Sequence, residues 1–186
     1  MNLLPFAISS HGYQIAVCRT ASEELKQLGV RVEEGIDITS DASVADWRDR
    51  WGDTAIDVLI NNAGILKPVT LEDLNFESIR EQFEVNGLSP LRVSQALLPF
   101  LKVGSKMVLM TSRMESIADN TSGSSYGYRM SKVALSMASK SQTRDLKSCA
   151  LAAAMFVQKP GIKVWTIKNR NFTLRSQTRE FVLLWN

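Results

Sequence analysis

Short apolar runs alternate along this chain with stretches whose apolar residues recur every three or four positions. Tyr13 to Arg19 reads as a strand, Ala21 to Leu28 as a short helix and Val30 to Ile36 as a second strand. Asp41 to Trp51 places Val44, Trp47 and Trp51 on one side of a helix. Ile56 to Ile60 is a buried strand that stops abruptly at Asn61-Asn62-Ala63-Gly64. Helical spacing then runs from about Phe76 to Leu101, with Pro90 marking a break near Gly87. Lys106 to Thr111 reads as the next strand, Tyr126 to Leu146 as a helix and Leu151 to Val157 as one more strand. No element is assigned beyond Lys159. Strands that alternate with helices predict an α/β fold, a parallel sheet covered by helices.

Open sheets of this kind bind ligands beyond the carboxyl ends of their strands. Arg19, Asp37, Asn61 to Gly64 and Thr111-Ser112 all fall at such ends. Tyr128 and Lys132 sit four apart in the last long helix, so a phenol and an ammonium share one face. A nearby cation favours the phenolate, which predicts a tyrosine pKa drawn down from about 10 towards the working range. Such a pair can donate and accept a proton in carbonyl and alcohol chemistry. Taken alone it also fits a surface helix contact.

A length of 186 residues suggests one domain with a real core, and 45% apolar with 22% charged residues is ordinary for a soluble protein. The net charge of +3 is uneven. Gln158 to Asn186 carries six Lys/Arg against one acid, Glu180, whereas the first 157 residues hold 16 basic and 18 acidic groups. We therefore divide the chain into a domain over 1–158 and a basic segment over 159–186. With no repeated basic-aromatic motif, nucleic acid is not an expected partner. Cys18 and Cys149 lack CxxC spacing and read as reduced thiols, which suits a cytoplasmic protein. His11 is the single histidine, which disfavours a zinc site or a nucleophile triad. The apolar opening Met1 to Ser10 is short and has no basic leader, so neither a signal peptide nor a membrane span is expected.

Four pieces of text, taken together and in order, resemble the short-chain dehydrogenase/reductase family. They are Asn61-Asn62-Ala63-Gly64 after a strand, Asn86 in Glu84-Val85-Asn86-Gly87, Thr111-Ser112 after a strand, and Tyr128-Arg129-Met130-Ser131-Lys132. The similarity covers about Gly12 to Lys147 and is greatest to the small carbonyl-reductase-like subgroup that includes C-factor and sniffer proteins. It implies a Rossmann-like doubly wound parallel sheet and a hydride transfer between a nicotinamide cofactor and an aldehyde, ketone or alcohol. By resemblance, Tyr128 is the acid/base and Lys132 lowers its pKa and bonds the nicotinamide ribose. Ser112 bonds the substrate oxygen, and Asn86 holds a water that links Lys132 to solvent. Asp37, followed by Ile38, matches the residue that bonds the adenine, and Asn62, Ala63 and Gly64 line the ribose region. Arg19 stands where an acid would grip a 2′-hydroxyl and suits a 2′-phosphate, which favours NADP over NAD. Relatives associate through the helices around Asn86 and Tyr128, so a homo-oligomer is expected.

The chain also departs from that pattern. The family's Thr-Gly-x-x-x-Gly-x-Gly turn, which carries backbone amides to a pyrophosphate at a helix start, is not in this sequence. Phe6 to Gly12 resemble the end of the helix that would follow the turn, and the text after Ser148 drifts, although Pro160-Gly161 falls where a proline-glycine follows a strand. The sheet is therefore expected to be incomplete, with its central first strand missing and unpaired backbone on both sides of the gap. Two readings follow. One is an NADP-dependent reductase, and the other a degenerate remnant that binds no cofactor and at most associates with itself.

Overall fold

Alternating side chains on the strands sort the apolar residues onto two faces of one sheet. In this computed structural model, residues 13–146, 150–159, 162–167 and 180–184 are described, with side chains for 14–146. Met1 to Gly12, Cys149 and Pro160-Gly161 lie outside the described residues. Seven strands follow in chain order: β1 (Tyr13–Val17), β2 (Arg31–Glu33), β3 (Ile56–Asn61), β4 (Leu101–Ser112), β5 (Ala150–Lys159), β6 (Ile162–Ile167) and β7 (Glu180–Leu184). The helices are α1 (Glu23–Lys26), α2 (Asp41–Arg50), α3 (Phe76–Phe83), α4 (Ser89–Leu97) and α5 (Tyr126–Asp145). Serine or asparagine caps three of them: Ser22, Ser40 and Asn75 accept from Leu25, Ser43 and Ser78 N–H at 3.2, 3.2 and 2.9 Å.

The strands lie in the order β2-β1-β7-β3-β4-β5-β6. All neighbours are parallel except β5 and β6. Ile15 and Val17 of β1 face one core with Trp47, Val93, Leu97 and Leu135 from the covering helices. Ala16 and Cys18 face the other, with Leu25, Val58 and Met110. Both faces are thus apolar and covered, as a doubly wound α/β sheet requires.

Two expectations change. The gap expected at the centre of the sheet is filled: β7 pairs in parallel with β1 from Tyr13↔Glu180 to Val17↔Leu184 and with β3 from Val58↔Phe181 to Asn61↔Leu184. Its sequence Glu-Phe-Val-Leu-Leu suits a central strand of a parallel sheet. Residues 159–186 also supply β6. The second change is in the long helical region, which widens at Glu84–Leu88 into a π turn instead of breaking at Gly87. Pro90 then falls in the first turn of α4, where its missing N–H costs nothing. Strand β4 starts before Lys106 because Ser105 mends a register shift: its hydroxyl donates to Ile56 O at 2.6 Å and accepts from Lys102 N–H at 2.8 Å. Cys18 is a buried free thiol, and burial pushes its pKa up. No helix among the described residues is long and apolar enough to cross a membrane.

Trp47 anchors the first core, 1% exposed and edge-on to Trp51 with ring centroids 5.7 Å apart. Its indole N–H has no partner among the described residues. Trp47→Ala is expected to cost about 3–5 kcal/mol in urea unfolding, and Trp47→Phe roughly 1 kcal/mol, since the smaller change leaves the ring contact and removes an unpaired donor.

Candidate active site at the strand tips

Helix α5 carries Tyr128 and Lys132 on the face turned towards the ends of β3 and β4. Tyr128 is half-buried and its phenol is hydrogen-bonded to the Ser112 hydroxyl at the tip of β4. The same Ser112 oxygen accepts from Met114 N–H at 3.2 Å, which holds it at the start of a 3₁₀ turn, Arg113–Glu115. Lys132 is 4% exposed. Its Nζ donates to Met110 O at 2.8 Å and lies 5.7 Å from the centre of the Tyr128 ring. The loop Arg113 to Ser125 is tied back to α5 by Arg129, whose guanidinium donates to Gly123 O and Ser124 O at 3.2 Å and to Ser122 Oγ at 2.9 Å. Ser124 and Ser125 both take positive φ, 51° and 52°, immediately before the helix begins.

The expected lowering of the tyrosine pKa is not found. Burial pushes Tyr128 above its ordinary value, and the Ser112 hydrogen bond only offsets part of that. The reason is geometric: the Lys132 ammonium is spent on a main-chain carbonyl, and burial pulls its own pKa down to about 8, against which the Glu115 carboxylate pulls it up.

Gly64 brings the third motif into the same place. A Cβ there would lie 3.1 Å from Asn86 Oδ1 and 3.4 Å from Lys132 Nζ, so only a glycine lets the loop after β3 approach both. Asn86 is fully buried in the π turn. Its Oδ1 accepts from Ile65 N–H at 2.8 Å, and its Nδ2 donates to Ile65 O at 2.9 Å and Ser131 Oγ at 3.0 Å. Ser131 in turn donates to Tyr128 O at 2.8 Å. The Asn86 side chain is therefore fully engaged with the protein in this arrangement.

A second group gathers along the first strands. Arg19, Asp37, Ile38 and Ala63 line one cleft with Thr39 and Ile65, and Asn62 sits half-buried beside Ala63. Asp37 Oδ1 accepts from Thr39 Oγ1 at 2.7 Å and Thr39 N–H at 2.9 Å. Those two bonds hold its carboxyl below the usual range, with the Arg19 and Arg92 charges adding to the effect. Asp37 thus turns the chain towards α2. Three supporting residues escaped the sequence reading. Arg92 donates to Ile38 O at 3.0 Å and pairs with Asp41 and, at 2.8 Å, with Glu84. Ser131 links Asn86 to Tyr128, and Gln82 grips the loop at Lys67. Their one signal is spacing: Gln82 lies four residues before Asn86, and Ser131 stands beside Lys132.

A dinucleotide can be tested against these groups. The cationic and carboxylate cleft fits an adenosine end, and the close approach at Gly64 fits a ribose edge. Asn61, at the tip of β3 beside Leu184, is 2% exposed with neither amide atom partnered among the described residues, which leaves a buried donor and acceptor for a polar group. A glycine-rich pyrophosphate cradle at a helix start is not found among the described residues.

The Lys132 environment sets a pH dependence. Between about 8 and 10.5 the unfolded chain holds the proton that the folded chain has released, so stability rises with pH through that window, and the gain is absent below 8. Lys132→Met is expected to remove up to roughly 3 kcal/mol of this rise, read as the difference between urea unfolding free energies at pH 7 and pH 10.

Comparison with known proteins follows the same lines. The profile of a family described as enoyl-(acyl carrier protein) reductase matches residues 7–167. The 1-hydroxy-2-glutathionyl-2-methyl-3-butene dehydrogenase of Rhodococcus sp. (strain AD45) is 37% identical over 134 residues, 71% of this chain and 59% of that protein. The C-signal protein of Myxococcus xanthus is 46% identical over 95 residues, 50% of this chain and 57% of its own length. The chain thus spans about six tenths of the length of these curated relatives. Among solved structures, a carbonyl reductase Sniffer of Caenorhabditis elegans superposes with a TM-score of 0.69 at 30% identity, covering 77% of this chain and 73% of that one. Motif order, sheet topology and profile agree, and the chain belongs to the short-chain dehydrogenase/reductase family of Rossmann-fold oxidoreductases.

Proposed function

We propose that this chain catalyses an NADP-dependent oxidoreduction of a small aldehyde, ketone or alcohol, with Tyr128 as the acid/base. The observation that carries the reading is the convergence of Ser112, Tyr128, Lys132, Asn86 and Gly64 on one point at the strand tips. NADP, when bound, supplies or accepts the hydride. Arg19 and Asp37 would hold its adenosine end together with Ile38, and Asn62, Ala63 and Gly64 would lie along the ribose. Ser112 positions the substrate oxygen within reach of the Tyr128 phenol, which gives up its proton as charge develops there. Lys132, once released from Met110 O, stands over the Tyr128 ring and stabilises the phenolate that remains, which brings the raised pKa down when it is needed. Asn86 fixes both the loop and α5, and a water near it would return the proton.

The same proposal covers the organisation of the chain. Residues 1–158 would form the cofactor domain and 159–186 a basic segment that lends strands to it. Self-association would run through the outer faces of α3 and α5, where Phe76, Met130 and Met137 are 62%, 48% and 67% exposed. The protein would work in the cytoplasm.

The second reading, a remnant that binds no dinucleotide, is favoured by one observation: the described residues hold no glycine-rich pyrophosphate turn. Fluorescence or thermal-shift titration separates the two, since no detectable binding at millimolar NADPH would establish the remnant. In the active protein, Tyr128→Phe is expected to lower kcat at least about a hundredfold with NADPH affinity nearly unchanged. Arg19→Asp is expected to weaken NADPH about tenfold or more while leaving NADH little affected, measured as the ratio of the two Kd values.

A further inference from the structure

Gln82 and Asn86 stand one helical turn apart, and each presents a carboxamide to the segment that follows β3. Asn86 takes both the N–H and the C=O of Ile65, at 2.8 and 2.9 Å. Gln82 does the same to Lys67, accepting from its N–H at 3.0 Å and donating to its C=O at 3.2 Å. Residues 65 and 67 are alternate positions, which in an extended chain turn their polar groups to the same edge. The helix side chains therefore bond this segment as a neighbouring strand would, two bonds to each second residue. Both amides are fully buried, so each rung is made in a place where a lost partner costs about 1–3 kcal/mol.

The other side of each rung rests on α5. Asn86 reaches Ser131 and through it the carbonyl of Tyr128. Gln82 Nε2 lies 2.6 Å from where a Cβ on Gly127 would sit, so the glycine just before Tyr128 is the space that this amide occupies. Ile79 Cα is 3.1 Å from the same point, which shows how closely α3 and α5 approach there. One rung alone would let the segment pivot about Ile65. Two rungs fix its direction, and Gly64, at its start, is the point that meets Lys132.

We infer that Gln82 is a positioning residue for the nicotinamide side of the site: as a second rung with Asn86, it holds Gly64 to Lys67 at a fixed distance from the helix that carries Tyr128. This rests on the oxidoreductase reading for its cofactor consequence but not for the rung itself.

Two measurements on the whole chain test it, amide hydrogen exchange and NADPH titration. Gln82→Met keeps length and bulk and removes both polar ends. Exchange at the Lys67 amide is expected to speed up at least tenfold, with the Trp47 amide in α2 unchanged, and the NADPH Kd to rise about tenfold. Gly127→Ala approaches from the other side and keeps the amide: the added methyl displaces Nε2, so Lys67 exchange should again rise although alanine favours the helix. The double variant should add little to either single one. Unchanged Lys67 exchange in a folded Gln82→Met overturns the proposal, as does faster exchange with an unaltered NADPH Kd. Should Gln82→Met fail to fold, Gly127→Ala decides by the same two outcomes. A wild-type chain that binds no NADPH rejects the oxidoreductase reading and the cofactor role with it, while the exchange arm still confirms or refutes the rung.

Discussion

The buried carboxamide of Asn86 is the constraint on which the rest of the site depends. It makes three hydrogen bonds at full burial, to two main-chain groups of Ile65 and to Ser131. To lose any of them would strand a polar group away from water, at a cost comparable to a sizeable share of a domain's net stability. That cost explains why the helix tolerates a π turn here. An added residue rotates the following side chains by about 100°, and the wider turn is closed by Ser89, whose N–H and hydroxyl both reach Glu84 O. Helix irregularities of this kind recur at functional sites because they aim one side chain that a regular helix would point elsewhere.

From that fixed point the electrostatics follow. Lys132 is drawn into a nearly closed space between the loop, β4 and its own helix, and its charge is met there by one main-chain oxygen and the more distant Glu115 carboxylate. Burial works on both members of the Tyr128–Lys132 pair in the direction of neutrality, up for the phenol and down for the ammonium. The two groups, nearly matched in acidity when free, are thus moved apart, and each is pushed towards its uncharged form. The pair's spacing supplies proximity, and its surroundings supply the tuning.

Much of this was legible in the sequence, and the failures have physical causes. Strands β1, β3 and β5 and helices α2 and α5 were readable because their apolar positions repeat with one clear period. The placement of Asn61-Asn62-Ala63-Gly64 and Ser112 at strand tips, and of Tyr128 and Lys132 on one helical face, was readable from where the apolar runs stop and from the four-residue spacing. Gln82 and Arg92 were not, since a buried amide and a half-buried guanidinium look like ordinary surface residues until the loops they grip are seen. The pKa direction of Tyr128 was misjudged because spacing shows that a cation is near but not where its hydrogen bond points. The start of β4 was hidden by the exposed residues Lys102 to Gly104, and β7 by the lack of any helix-strand rhythm before it.

The place of β7 has a consequence for how the protein is made. The strand at the middle of the sheet is the last described one in the sequence, so β1 and β3 emerge from the ribosome long before the segment that joins them. Until it arrives, the edges of β1 and β3 that β7 joins stand without that partner. Nascent molecules would thus pass through a stage in which rival strands, including those of neighbouring copies, compete for the vacant central lane.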